Sequence, residues 1–537
     1  MTAWTVSSLL ETAAGYLREK DSGSPRLDAE ILLAETLGIE RIELYTHHDR
    51  PLSTAEVEAF RALVARRARH EPVAYIVGRS HFRRLTLEVS PAVLIPRPET
   101  EELIDLALES LRLRPPWEIS APPMASPGTA HPAADMEAIQ SEDGCALPTS
   151  RPLVVDVGTG SGAIAIALAQ EDQVRVLGVD SSPEALIVAA RNKAAAGLGD
   201  LIDLMEADLL SDVAEGSVRL VLSNPPYVTS AEMEALSPDV RLYEPRAALH
   251  GGTDGLDVYR RLLPDAARVL AAGGTVLLEV GHEQAAAVRG LAREAGFVRS
   301  MVHRDLSGKE RFVEAILPGA PICPLSGLGQ DALAALSSAL EAGAVVGLPT
   351  DTVYGLAARW DSTPGVHRLF AAKGRGLAQP VAALFASVRS VAEALPDLHD
   401  TVRRVMDALL PGPFTFVVGT TVARPPLVGT EDSLGVRVPD HPGLLALLSR
   451  LGIGVAATSA NPSGGDDAAG LSEVDPALLA HCSLALCDDS EGGRVRPVGN
   501  PSTVVDLRPL VTGGSPVVLR EGAVLATEVL GRIARII

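Results

Sequence analysis

The sequence predicts an α/β chain with an N-terminal helical bundle, a parallel-sheet domain and a second α/β domain. Three observations carry that expectation. At 537 residues and 47% hydrophobic content, the chain is too long for one core and rich enough to bury more than one. Short apolar runs such as Leu153–Val157 and Val174–Val179 end in polar or glycine-rich turns that lead into helices, the pattern of buried parallel strands. Finally, Leu317–Leu325 holds three prolines and a glycine between two such regions, and it reads as an inter-domain linker over 318–325.

Composition narrows the function classes. The formal net charge of −21 builds no nonspecific attraction to nucleic acid into the surface, so no strong direct binding of nucleic acid is expected. The four cysteines, Cys145, Cys323, Cys482 and Cys487, show no paired CxxC spacing and read as structural thiols, with no metal site expected. No uninterrupted apolar run reaches membrane-spanning length, and the N-terminus lacks a basic segment followed by an apolar one. The expectation is a cytoplasmic protein in a reducing compartment.

Taken in order, residues 1–75 read as the helical bundle. Ser53 and Thr54 stand where a helix cap belongs, and Val57, Phe60, Leu63 and Val64 share one helix face. The basic cluster Arg66, Arg67, Arg69 and His70 is either a solvated face or a contact for an RNA-associated partner. Residues 76–317 form the next unit. Pro96 and Pro98 are expected to hold their strip extended, with Thr100 capping a helix that begins at Glu101. Arg97 and Glu99 on this strip either shape a cleft or hold it by an ion pair. Residues 114–151 are Pro/Ala/Ser-rich without periodicity and read as a disordered insert.

Strand Leu153–Val157 runs into Gly158, Thr159, Gly160, Ser161 and Gly162, then into a helix over Ala163–Gln170. Glycines let a ligand approach the backbone, and the helix N-terminus favours polar ligand groups. The spacing is G-x-G-x-G, not the G-x-G-x-x-G of dinucleotide sites. Asp180 follows the second strand, where a carboxylate can take both ribose hydroxyls of a nucleoside. The apolar run from Val221 ends in Asn224, Pro225, Pro226 and Tyr227. Two prolines remove two backbone donors, so the turn presents carbonyls and the Asn224 side chain, a site suited to accepting hydrogen bonds from a planar NH2 group.

Several segments then carry a resemblance: LIPRPETE at 94–101, DVGTGSGAIAIALA at 156–169, VDSSPEAL at 179–186, SNPPYV at 223–228, EPRAALHGGTDGLDVYR at 244–260 and LSGKERFVEA at 306–315. With these, residues 1 to about 317 resemble the HemK/PrmC family of protein-(glutamine-N5) methyltransferases. The resemblance implies a Rossmann-like domain that binds S-adenosylmethionine at Gly158–Gly162 and Asp180. It also implies class 1 peptide-chain release factors as partners, a glutamine side chain held at Asn224 and Pro225, and Tyr227 stacked on the amide. Leu209 stands where many relatives have an aromatic residue near the adenine. Asn-Pro-Pro-Tyr also occurs in enzymes that methylate exocyclic amines of nucleic acid bases, so the tetrapeptide alone leaves that substrate open.

The last unit, 326–537, alternates apolar strands with small hydroxyl or basic residues, which periodicity alone reads as an α/β domain for an anionic ligand. Lys373 and Arg375 are cations two residues apart at a helix end and suit phosphates. PTDTVYGLA at 349–357, KGR at 373–375, PGPFT at 411–415, GVRVP at 435–439, SANPSG at 459–464, STVVD at 502–506 and LREGA at 519–523 stand in the order of the YrdC-type L-threonylcarbamoyladenylate synthases. The region resembles that family in its short form. The resemblance implies that threonine, bicarbonate and ATP with magnesium yield threonylcarbamoyl-AMP, which feeds the proteins that form t6A in tRNA. By match, Thr352 and Arg437 fall at the threonine, Lys373, Arg375, Ser459, Asn461 and Arg520 around the nucleotide phosphates, and Ser502 near the threonine or adenylate. The segment after the Lys-Gly-Arg run, from Gln379, departs from the family pattern. A non-catalytic RNA-binding module is the alternative for this half.

Overall fold

The computed structural model describes residues 4–113, 153–325, 328–373, 380–461, 467–488 and 500–537. The insert at 114–151, Cys145, Arg375 and Gln379 lie outside the described residues.

Five helices make the N-terminal unit: α1 (Val6–Glu19), α2 (Pro25–Leu37), α3 (Glu43–Thr46), α4 (Thr54–Arg67) and α5 (Val73–Val77). Ser53 caps α4 in a reciprocal box. Its hydroxyl accepts from Glu56 N, and Glu56 Oε2 accepts from Ser53 N at 2.7 Å. A cap of this kind contributes about 1 kcal/mol. Val57, Phe60 and Val64 bury themselves against Leu9, Leu10, Leu32 and Leu33. The basic cluster is largely consumed by the fold. Buried Arg67 donates from Nε to Asp28 at 2.7 Å, and Arg66 forks onto Glu71 at 2.6 and 2.8 Å.

A hairpin of β1 (Arg79–Phe82) and β2 (Leu85–Glu88) leads to α6 (Pro98–Leu113). The helix starts at Pro98, not at Glu101 as the sequence reading had it, so Thr100 lies in the first turn and does not cap it. Proline's fixed φ suits the first helical position, where its missing N–H would have no partner anyway. The stiff strip is thus shorter than expected, and Thr100 is turned into the protein interior, 4% exposed.

The parallel sheet then forms from β3 (Leu153–Val157), β4 (Arg175–Asp180), β5 (Ile202–Glu206), β6 (Val218–Ser223) and β7 (Leu270–Glu279). It is extended by antiparallel β8 (Arg299–Arg304) and β9 (Glu310–Ile316), in the order β5-β4-β3-β6-β7-β9-β8. Alternate residues face opposite layers. Val154, Leu220, Leu222 and Leu277 pack on α6 and α7 (Ala163–Asp172). Val155, Val221, Val276 and Leu278 pack on the helices Asp257–Val269 and Ala285–Glu294. With both faces covered, the strands read as unbroken apolar runs. Strand order reverses between β3 and β6, which pair in parallel with Val157 opposite Ser223.

The stretch read as a linker holds a strand, β10 (Ile322–Pro324), that pairs with a strand far along the chain. The second sheet comprises β10, β11 (Val346–Leu348), β12 (Gly355–Arg359), β13 (Ala382–Leu384), β14 (Phe414–Gly419), β15 (Ser433–Arg437), β16 (Val455–Ser459), β17 (Leu484–Cys487), β18 (Thr503–Asp506) and β19 (Val517–Arg520). Its ten strands run β10-β17-β11-β12-β16-β13-β15-β14-β18-β19, with mixed pairing. Two apolar clusters cover it, one around Leu356, Phe416 and Val436, the other around Leu336, Leu348 and Leu484.

The buried Arg67–Asp28 pair yields a stability test. Asp28→Asn leaves the buried guanidinium with only the more distant Asp239, 4.0 Å away, as counter-charge, a loss on the order of 3 kcal/mol. Arg69→Ala, on the exposed side of the same cluster, should stay within about 0.5 kcal/mol. Hydrogen exchange of the α1 and α2 amides in urea measures both, and equal effects would contradict the assignment of Arg67 to the core.

Candidate active sites

Two site regions emerge, one at each sheet. In the first, β3 ends in a loop where Gly158, Gly160 and Gly162 take φ of 72°, 55° and 81°. These are left-handed values that cost other residues energy. A Cβ on Gly162 would come within 3.2 Å of Ile166 Cδ1 and 3.4 Å of Ala189 Cβ, so glycine there also permits close packing onto the neighbouring helix. A Cβ on Gly158 would meet nothing within 4 Å, so the outer face of the loop is open. The Asp180 carboxylate accepts from Gly160 N at 2.9 Å and from Ser182 N at 3.0 Å. A carboxylate has about four acceptor positions, so two remain for ligand hydroxyls. The loop and Asp180 therefore fit a nucleoside ligand.

Asp156 carries the loop from below and was not singled out in the sequence. Wholly buried, its Oδ2 accepts from Thr159 Oγ1 at 2.7 Å and from Ala165 N at 3.3 Å. Burial raises its pKa to about 7. Leu209 adopts φ 55°, an uncommon conformation for a branched side chain, in the segment the sequence placed near a nucleobase.

Asn224 leaves the end of β6, one strand over from the glycine loop. Its Nδ2 donates to Thr100 Oγ1 at 3.0 Å, and the Thr100 hydroxyl donates to Glu279 Oε2 at 2.7 Å. Pro225 is buried, while Pro226 and Tyr227 are half-buried. Three glycines make room for the turn. A Cβ on Gly251 would lie 2.6 Å from Pro226 O, and one on Gly255 2.3 Å from Tyr227 O. One on Gly281 would lie 3.0 Å from the Tyr227 ring. Gln284 clamps the turn further, donating to Tyr227 O at 3.0 Å and accepting from Gly281 N at 3.0 Å. Tyr227 Oη stands 3.5 Å from Glu279 Oε1, and burial raises its pKa to about 12.

Thr100, Glu279 and Gln284 are the residues that sequence reading missed here. Thr100 and Glu279 lie 124 and 55 residues from Asn224, and the signal available was the RPET run and the acid closing an apolar strand. Burial raises the Glu279 pKa to about 7. Arg97, the other candidate, pairs with buried Glu244 at 2.7 Å, so it holds the strip. Exposed Glu99 lines a separate cavity of about 1120 Å³ with Arg83, Glu102, Glu171 and Lys309, which contains neither the glycine loop nor Asn224.

The second site is a cavity of about 840 Å³ in the ten-stranded sheet. Thr352, Lys373, Arg437, Ser459, Asn461, Ser502 and Arg520 all line it. Lys373 ends its helix, 8% exposed, and its Nζ donates to Asn461 Oδ1 at 2.8 Å and to Ser459 Oγ and Thr458 Oγ1 at 3.3 Å. Arg437 Nη2 donates to Thr352 Oγ1 at 2.9 Å and pairs with Asp351. Its burial lowers the guanidinium pKa, and Asp351 opposes that shift. Arg437 Nε and Asp351 Oδ2 are buried without a hydrogen-bond partner among the described residues, so a polar ligand has both a donor and an acceptor to meet. Ser502 Oγ lies 2.7 Å from Thr415 Oγ1, and Arg520 Nη2 donates to Ser502 O at 2.9 Å. Asp351 and Thr415 were not picked from sequence; both sit inside quoted motifs, and only burial reveals them. The cations and hydroxyls fit a phosphate-bearing ligand.

Comparisons with known proteins find matches in both parts of the chain. Family models match at three places: the PrmC N-terminal domain over residues 8–78, a methyltransferase small domain over 145–238, and the Sua5/YciO/YrdC model, described as telomere recombination, over 338–522. The chain is 40% identical over 311 residues to the release factor glutamine methyltransferase of Geobacter sulfurreducens, which spans 58% of this chain and 96% of that one. It is 39% identical over 313 residues to that of Chlorobaculum tepidum, spanning 57% and 96%. Among solved structures, P. abyssi Sua5 complexed with L-threonine is 27% identical, covering 39% of this chain and 59% of that one with a TM-score of 0.34. E. coli YciO is 23% identical, covering 38% and 92% with a TM-score of 0.31. The match thus spans about three-fifths of the P. abyssi chain.

The raised Glu279 pKa has a consequence for stability. Between about 4.5, its ordinary value, and about 7, the folded chain keeps a proton on Glu279 that the unfolded chain has released. Stability therefore declines as pH rises across that interval and stays at the lower level above it. Glu279→Gln removes this decline. Urea unfolding at pH 8 should find the variant more stable by on the order of 3 kcal/mol, with the gap closing by pH 4. A gap that does not change with pH would mean that Glu279 keeps its ordinary pKa in the folded chain.

Proposed function

The chain belongs, over its first three-fifths, to the release factor glutamine methyltransferase family, and it carries a Sua5/YciO/YrdC domain after it; from these we propose a bifunctional enzyme of translation. The first activity transfers a methyl group from S-adenosylmethionine to the side-chain amide nitrogen (N5) of a glutamine in class 1 peptide-chain release factors. The second forms L-threonylcarbamoyl-AMP from threonine, bicarbonate and ATP with magnesium, for the proteins that place t6A in tRNA. The reading divides the chain into 1–75, 76–317, a connector at 318–325 and 326–537, and it places the protein in the cytoplasm. Among the described residues no helix is long and apolar enough to cross a membrane.

The observation that carries the first activity is the Asn224 amide, anchored through Nδ2 one strand away from an open glycine loop. An amide nitrogen is a weak nucleophile because its lone pair is delocalised into the carbonyl. Asn224 Oδ1 and the Pro225 carbonyl accept the two amide hydrogens of the substrate and orient its nitrogen, and acceptors so placed favour a tetrahedral nitrogen over the planar one. Tyr227 covers the amide face and excludes water. Gly158–Gly162 and Asp180 hold the cofactor, which when bound supplies the electrophilic methyl group. No observation favours a nucleic acid base over the release factor, and the net charge of −21 opposes it.

The second activity rests on the 840 Å³ cavity and its buried charges. Arg437 and Thr352 take the threonine, and Lys373, Ser459, Asn461 and Arg520 offset the charge of the nucleotide phosphates and orient them. Arg375 belongs to the same proposal through its motif.

Each half has its own test. Asn224→Ala should lower methyl transfer to release factor by at least about a hundredfold while S-adenosylmethionine still binds, read by labelled-methyl incorporation and calorimetry. Turnover at the parent rate would sink the assignment. For the second half, the parent should release pyrophosphate from ATP only when threonine and bicarbonate are both present. Lys373→Ala should lower that release about a hundredfold. Release that ignores threonine would contradict the assigned reaction.

A further inference from the structure

The Thr100–Glu279 pair does more than fill space beside Asn224. A threonine hydroxyl has one proton and two acceptor lone pairs, and an ionised carboxylate only accepts. When Glu279 is ionised, its Oε2, 2.7 Å from Thr100 Oγ1, therefore takes the single proton. What remains on Thr100 can only accept, so the group of Asn224 that faces it at 3.0 Å must be the NH2. The opposite orientation would set two acceptor oxygens against each other with no proton between them. The Asn224 carbonyl oxygen is thereby committed to the other side of the amide plane, where an acceptor is needed.

We propose that Thr100 and Glu279 are positioning residues that fix the polarity of the Asn224 side chain, and so select a substrate group that donates hydrogens. The inference rests on the methyl-transfer reading above and adds to it the device that decides which end of Asn224 meets the substrate. The three residues come from three elements: the first turn of α6, the end of β7 and the turn after β6. Glu279 is 1% exposed and Thr100 4%, so water cannot easily substitute for either. Glu279 has further neighbours from each packed element: Glu99 on α6, Tyr227 on the turn, Arg311 on β9, and Tyr259, whose hydroxyl donates to the Glu279 main-chain oxygen at 2.7 Å. Among the described residues none of these is hydrogen-bonded to the Asn224 side chain, and Thr100 is.

Protonated Glu279 reverses the logic. A carboxylic acid can donate to Thr100, which then donates to Asn224, and either orientation of the amide is satisfied. Methyl transfer should therefore fall as pH drops below about 7, where burial has placed the Glu279 pKa. Glu279→Gln should remove that limb, since glutamine both donates and accepts at every pH.

The test compares Thr100→Val, which keeps the shape and removes the hydroxyl, with Thr100→Ser, which restores it. Methyl transfer to release factor should drop at least about tenfold in kcat for Thr100→Val, with S-adenosylmethionine affinity kept, and return for Thr100→Ser. A second readout needs no substrate: the side-chain NH2 resonances of Asn224 in the 15N-labelled full chain, identified by their loss in Asn224→Ala. They should exchange slowly with solvent in the parent and in Thr100→Ser, and fast in Thr100→Val. If parent and Thr100→Val show equal exchange, or equal kcat, the positioning role is overturned. A parent that does not methylate release factor at all would overturn the substrate reading instead, while the exchange measurement still decides the role of Thr100. Should Thr100→Val fail to fold, Glu279→Gln carries the decision through the pH profile: an unchanged acid limb overturns the proposal.

Discussion

Parallel pairing of β3 with β6 is the constraint on which the N-terminal site depends. Val157 sits opposite Ser223, and Ser223 Oγ donates to Val157 O at 2.7 Å. The glycine loop and the Asn-Pro-Pro-Tyr turn therefore leave adjacent strands at the same edge, where the order of the sheet reverses. In open α/β sheets that reversal opens a crevice, because the connecting helices depart to opposite faces. One apolar pairing thus brings together a glycine-rich loop and a turn whose prolines offer no competing donors. β7, on the other side of β6, adds Glu279 to the same edge.

Both sites keep charge under cover, and the cost of burial explains how each is wired. At the first, Asp156 and Glu279 are almost wholly buried, and each is met by a threonine hydroxyl, Thr159 and Thr100. Hydroxyls partly replace the water lost and can pass the orientation on to the next group. At the second, two buried cations stand with one buried acid. Arg437 is met by Asp351 and Thr352, and Lys373 by Asn461, Ser459 and Thr458. The paired acid beside Arg437 offsets part of the cost of burying that guanidinium.

Much of this was legible in the sequence, for identifiable reasons. Strands covered on both faces show as apolar runs, and a loop that must expose its backbone shows as glycines, so β3, β6 and the Gly158–Gly162 turn could be found from residue types alone. The Asn224–Tyr227 turn announced its acceptors through its prolines. Thr100 misled, since a threonine after prolines and before glutamates looks like a cap. Only the start of α6 at Pro98 places it inside the first turn. The basic cluster at Arg66–His70 looked like a surface, and the fold turned Arg67 inward onto Asp28.

The sequence by itself determined the local grammar of this protein: which segments are strands, which loops are glycine-rich, which turns lack donors, and which cations end a helix. These are properties of a few consecutive residues and their dihedral preferences. Tertiary structure alone decided which of those segments meet. Glu279 is one more acid at the end of an apolar strand until β7 pairs with β6 and α6 lays Thr100 across the gap. Asp351 is one polar residue among threonines until β15 brings Arg437 to it. Such partners are set by strand register and helix packing over separations of more than fifty residues, and short-range preference carries no information about them.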